Sequence, residues 1–225
     1  MVKRESTAGP GFEAEDDYVV DFDFGGDWLV LTLREGTKEE AERMAAECAA
    51  QFNPAHLRVS KSALQRELAQ LALRAHEAGP VLVAVVCSEG GTVLADIVLF
   101  VYGEDDVARP SPQEYMPKLL RWSYAEVKGE PSVTEVELPV GSAVRVQAVL
   151  AEKRRFGWGC KLSESLRYAV WPRGQEEILL VEAAWQHFER ADEMADLVDR
   201  LVPTMHLVPV PSDFDERNAV ARGEL

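Results

Sequence analysis

Basic residues are in short supply in this 225-residue chain: 24 Lys and Arg face 39 Asp and Glu, a formal net charge of -15, and the sequence pI is near 4.7. A surface of that sign repels phosphate, which excludes broad binding to nucleic acid or to an anionic membrane. Cysteine is scarcer still. Cys48, Cys87 and Cys160 are odd in number, far apart and without a C-x-x-C pair, so neither a disulfide framework nor a zinc site is written here. The histidines His56, His76, His187 and His206 are scattered, and none has a His or Cys three or four positions away to chelate a metal from one helix face. Apolar runs stop short of the roughly 18 residues that a membrane helix needs. The opening MVKRESTAGPGFEAEDD has no apolar h-region, so the expected compartment is the cytoplasm. Also missing are a G-x-S-x-G elbow, an H-E-x-x-H pair and a phosphate-binding G-x-x-x-x-G-K-[ST] loop. No cofactor and no metal are expected.

What is present is the composition of a folded globule, 47% hydrophobic and 28% charged. The length suits one core, read as a single domain over residues 17–209 between tails at 1–16 and 210–225. Tyr18 to Phe24 alternates apolar and acidic positions, the pattern of a half-exposed strand, and Gly25-Gly26-Asp27 is a turn leading to Trp28–Leu33 as its hairpin partner. Thr37-Lys38-Glu39-Glu40 is a capping box, followed by apolar residues at helical spacing as far as Asn53-Pro54. A second helix is expected from about Ser60 to Ala78, where Leu64, Leu68, Leu71 and Ala75 form a stripe. PVLVAVVCS and TVLADIVLFVYG flank Glu89-Gly90-Gly91 and read as a central hairpin, apolar on both faces.

Ser111-Pro112-Gln113-Glu114 starts a third helix, expected near 112–126, with Pro117 as a kink or a later start. Tyr115, Trp122 and Tyr124 around it either pack on a sheet or line a ligand pocket. Val133–Leu138, Ser142–Ala151, Ser165–Trp171 and Glu177–Trp185 give further strands joined by links too short for parallel crossovers. Met194, Leu197, Val198 and Leu201 mark a last helix, and MHLVPV an edge strand or coil. The expected fold is α+β: a predominantly antiparallel sheet of about six to eight strands with helices packed on it as an α/β/α sandwich.

Residues 165–209, a strand ending in Pro, a Gly turn, an apolar strand and a closing helix, resemble the C-terminal pattern of the PsbP-like superfamily. DFDFGGDWLVLTL, where a Trp follows a Gly turn into the second strand, resembles that group's opening. The resemblance implies an α/β/α sandwich and a non-enzymatic role in partner binding or assembly.

Charge is distributed unevenly, and that directs attention to two places. Residues 145–173 carry Arg145, Lys153, Arg154, Arg155, Lys161, Arg167 and Arg173 against Glu152 and Glu164, a local excess of about +5. With Phe156 and Trp158 at its turn, this basic hairpin has the Arg and aromatic side chains that supply binding energy at interface centres. The candidate partner-binding residues are Lys153, Arg154, Arg155, Phe156, Trp158, Arg167 and Arg173. Internal charge balance is the alternative, and stacking on nucleic acid a remoter one. Asp21, Asp23 and Asp27 form a candidate acidic face for a cation or basic partner; an EF-hand is excluded because Gly25 and Thr32 stand where oxygen ligands are required. Of the three thiols, Cys160 beside Lys161 is the candidate for reactivity.

These features point to an acidic, non-catalytic protein-interaction module: an adaptor, an assembly factor, or an immunity or chaperone-like protein whose partner is another protein and not a membrane. The competing class is a small-molecule-binding protein or enzyme with a pocket between sheet and helices.

Overall fold

Helices begin where small polar side chains offer an oxygen to unpaired amides. In the computed structural model, which describes residues 18–103, 107–153 and 160–210, the Thr37 hydroxyl accepts from the Glu40 amide to start α1 (Lys38–Ala50). Ser60 does the same for α2 (Lys61–Glu77). Only half of the first capping box forms. The Glu40 carboxylate reaches past Thr37 to the amides of Arg34, Glu35 and Gly36 at 2.9, 3.0 and 3.0 Å, and those bonds hold it below the usual carboxylate range. The box at α3 (Pro112–Leu119) is complete, with Ser111 and Glu114 exchanging backbone bonds. This helix ends seven residues before the sequence pattern suggests, and Pro117 lies inside it. Trp122 and Tyr124 therefore sit on the loop after it.

The strands are β1 (Tyr18–Asp21), β2 (Trp28–Val30), β3 (Leu82–Cys87), β4 (Val93–Tyr102), β5 (Glu126–Leu138), β6 (Gly141–Lys153), β7 (Cys160–Pro172), β8 (Ile178–Trp185) and β9 (His206–Pro209); α4 (Ala191–Leu201) precedes the last. Seven of them form an antiparallel sheet in the order β2-β3-β4-β8-β7-β6-β5, and β1 pairs with β9 in a separate two-stranded sheet. The α+β class and the antiparallel sheet with packed helices are as the sequence implies. The first hairpin is not. Tyr18–Asp21 and Trp28–Val30 belong to different sheets, because β2 finds Val86, Val85 and Ala84 of β3 in register while β1 aligns Val20 with Leu207. The Gly25–Gly26 turn carries the chain from one to the other, closed by the Trp28 amide on the Gly25 carbonyl at 3.3 Å.

Alternation along the strands sorts their side chains to two faces. On one face, Val83 and Val85 pack with Leu29 and Leu31 under Ala41, Ala45, Leu64 and Leu68 of α1 and α2. Further across the same face, Val144, Val146 and Leu150 of β6 with Ile178 and Leu180 of β8 support Tyr115 and Leu119 of α3. The opposite face carries Ile97, Leu99, Leu166, Val181 and Trp185 beneath Met194 and Val198 of α4, with Phe22 and Met205 beside them. Helices thus cover both faces, and each fully buried Leu or Val contributes about 1.5–3 kcal/mol of burial energy. Gly91 closes the central hairpin at φ 80°, a conformation open to glycine, where a Cβ would lie 2.8 Å from Leu57. The expected tails, 1–16 and all but the first residue of 210–225, lie outside the described residues.

Candidate functional site

The longest strands of the sheet include β6 and β7, which hold the basic hairpin of the sequence. β6 and β7 pair without interruption from Gly141↔Pro172 to Lys153↔Cys160, whereas the ladder between β7 and β8 stops at Glu164↔Trp185. Cys160, Lys161 and Leu162 therefore continue beyond the end of β8 on an arm that β6 alone supports, and all three are exposed, Leu162 to 44%. Arg154, Arg155, Phe156 and Trp158, which the chain carries between these two strands, lie outside the described residues, as does the side chain of Lys153.

The other basic candidates are placed elsewhere. Arg173 pairs with Glu137 of β5 on an exposed surface at the opposite end of β7. Arg145, part of the same local charge excess, is held by Asp199 of α4 at 2.9 Å through both Nε and Nη2, and Tyr168 donates to the same carboxylate. Arg167 is buried, 7% exposed, and its guanidinium faces inward. Its Nη1 donates to the carbonyls of Leu119 and Arg121 at 3.0 Å each, tying the end of α3 to the sheet, and its Nη2 donates to both carboxylate oxygens of Glu182 at 3.0 Å. It also stacks on Trp122, 4.1 Å from the ring centroid. Much of the local charge excess is therefore answered within the fold.

Asp21, Asp23 and Asp27 are all exposed. The Asp21 carboxylate accepts from the Phe22 amide and stands 3.7 Å from His206, its register partner. The Asp23 amide donates to the Thr204 hydroxyl. Among the described residues, no group of three or more His, Cys, Asp and Glu side chains is arranged to hold a metal.

Around Arg167 the structure assembles a polar patch on the sheet face that carries α2 and α3. Trp122 donates its indole N–H to Ser165 at 3.3 Å, and Tyr124, 53% exposed, donates to Glu182 at 3.0 Å. Burial first, and Glu182 second, raise the Tyr124 hydroxyl above its ordinary pKa, so it stays a donor. On the neighbouring strand, Asp96 is pushed up to about 6, chiefly by burial and then by Glu182, with Arg74 and Lys161 pulling the other way. The sequence signal for this patch is that Asp96 and Glu182 each interrupt an otherwise apolar strand, β4 and β8. Tyr115 and Trp122, read either as packing or as pocket residues, pack into the core, Tyr115 edge-on to Trp171.

A second opening lies at the far edge of the sheet. Beside the start of α3, a cavity of about 320 Å³ is lined by Pro112, Gln113, Glu135, Glu137, Ser142 and Val144, among others. β5 bounds the sheet there and is exposed along most of its length.

No protein-family model matches the chain, and comparison with curated proteins gives no match. No described helix is long and apolar enough to cross a membrane.

Proposed function

We propose that this chain is a non-catalytic, acidic protein-binding module, of the adaptor or assembly-factor kind, that engages its partner through the arm formed by β6 and β7. The observation that carries this reading is the arm's free end: Cys160, Lys161 and Leu162 stay exposed past the last pair with β8, next in sequence to Arg154, Arg155, Phe156 and Trp158. Aliphatic, aromatic and Arg side chains gathered in one stretch of sequence are the composition of an interface centre. The rest of the molecule carries the opposite sign, so a partner with both basic and acidic surface is steered from a distance and oriented on contact. Three free thiols suit a reducing compartment, and we place the protein in the cytoplasm on that ground. The resemblance to PsbP-like assembly factors points the same way.

The half-buried Asp96, with its raised pKa, favours the competing reading of a ligand-binding or catalytic pocket, because perturbed carboxylates gather at such sites. One experiment separates the two. Tagged protein and the triple variant Arg154→Ala, Arg155→Ala, Trp158→Ala are purified from the native cell at low and high salt. Salt-sensitive proteins retained by the native chain and lost from a folded variant support the module; partners unchanged by the variant remove the arm from the account.

A further inference from the structure

The edge strand β5 has an unusual combination of features. Among the described residues its backbone is unpaired on one side, it is acidic, and it borders a cavity. Of its 13 residues, Glu126, Glu130, Glu135 and Glu137 are acidic against Lys128 alone. Its ladder to β6 shifts between Lys128 and Ser132, then runs regularly to Leu138↔Gly141. Pairs alternate from that two-residue turn, so the backbone groups of Val133, Glu135 and Glu137 point away from β6. Their side chains share the face that carries α3, since their partners Val146 and Val144 belong to the core under it.

A bare edge is a template for another strand, and proteins commonly protect such an edge with charge, proline or a bulge. Here Gly129 (φ 79°), Pro131 and the register shift interrupt the first half. The stretch from Val133 to Leu138 is regular and uncovered among the described residues, with Val133 43% exposed. Its acidic side chains are not all spoken for. Glu137 is paired with Arg173, whereas Glu135 makes no ion pair or hydrogen bond with any described residue and lines the cavity. Two copies meeting edge to edge would oppose like charges, which disfavours self-pairing and leaves a basic strand as the matching occupant.

We propose that β5 is a second docking site, one that takes an extended basic segment of a partner protein as an added strand, with a Lys or Arg side chain entering the cavity towards Glu135. Main-chain bonds to Val133, Glu135 and Glu137 supply affinity, and the cavity supplies the preference for a cation at alternate positions. The site deepens the protein-binding reading but does not use the arm.

The probe is a fluorescein-labelled KVKVKVK peptide, followed by anisotropy with the full chain in low salt and then in physiological salt. The site predicts saturable binding that EVEVEVE does not show. Binding should fall about threefold or more with Glu135→Lys, and about tenfold or more when alternate peptide amides are N-methylated. The variant Arg154→Ala, Arg155→Ala, Trp158→Ala should bind the peptide as the native chain does, so failure of the arm and failure of this edge are distinguishable. Equal binding of the N-methylated peptide, indifference to Glu135→Lys in a variant of unchanged Tm, or no binding overturns the proposal. Dimerisation of the native chain that Glu135→Lys abolishes also overturns it, by making a second copy the occupant.

Discussion

Arg167 and Glu182 are directly opposed across the ladder of β7 and β8, and a single guanidinium nitrogen, Nη2, reaches both carboxylate oxygens at 3.0 Å. With side chains 8% and 15% exposed, this is a buried pair, and it is joined to the end of α3 and to the Trp122 ring. Its Nε is buried and has no hydrogen-bond partner among the described residues.

The pair should be far more sensitive to loss of one member than of both. Removing one partner leaves a charge uncompensated in the interior, at a cost of about 3–5 kcal/mol, whereas apolar replacement of both can be close to neutral. Chemical denaturation should therefore show Glu182→Ala to be destabilised by that order, with Arg167→Met, Glu182→Leu recovering most of the loss. A double variant no more stable than Glu182→Ala would mean that Arg167 matters chiefly through the carbonyls of Leu119 and Arg121.

Asp96 makes stability depend on pH in the unusual direction. Its folded pKa, about 6, is above the ordinary 3.8, so between those values the folded state holds the extra proton and stability falls as pH rises. Above pH 6 the penalty is nearly complete, about 3 kcal/mol. Asp96→Asn should raise Tm at pH 8 and flatten the profile between pH 4 and 6. A variant with the same slope as the native protein would assign that slope to other groups.

Thiol accessibility should divide the cysteines one to two. Cys160 is exposed, Cys48 is buried, and Cys87 is pushed up to about 12 by burial and by nearby Glu67 and Cys48. Native protein at pH 8 should release one fast equivalent in a thiol assay, lost in Cys160→Ser, with the other two appearing only on unfolding. Two fast equivalents would place Cys87 within reach of solvent.

Local rules and periodicity carried most of the architecture. The caps at Thr37, Ser60 and Ser111 and the Gly90-Gly91 hairpin depend on neighbours in sequence, and they formed close to the positions read. What depends on distant partners was not legible. β1 prefers β9, 185 or more residues away, to the adjacent β2, because burial of Val20 with Leu207 outweighs a good turn. The last seven residues expected of α3 stay outside the helix because Trp122 packs into the core and donates to Ser165. The basic excess at 145–173 was countable from sequence, but the inward course of Arg167 and Arg145 was not, since a strand's two faces look alike until their coverings are known. Asp96 was overlooked because a single carboxylate in an apolar run reads as a flaw in the pattern.

The central claim is that the β6–β7 arm is where this protein meets its partner. It is tested most directly by installing a photo-crosslinking residue at Leu162, on the arm, or at Arg66, an exposed position of α2, and irradiating each in the native cell. The account predicts a discrete protein adduct from position 162 and none from position 66, with the adduct diminished at high salt. Adducts of equal yield from both positions, or none from position 162, would contradict it.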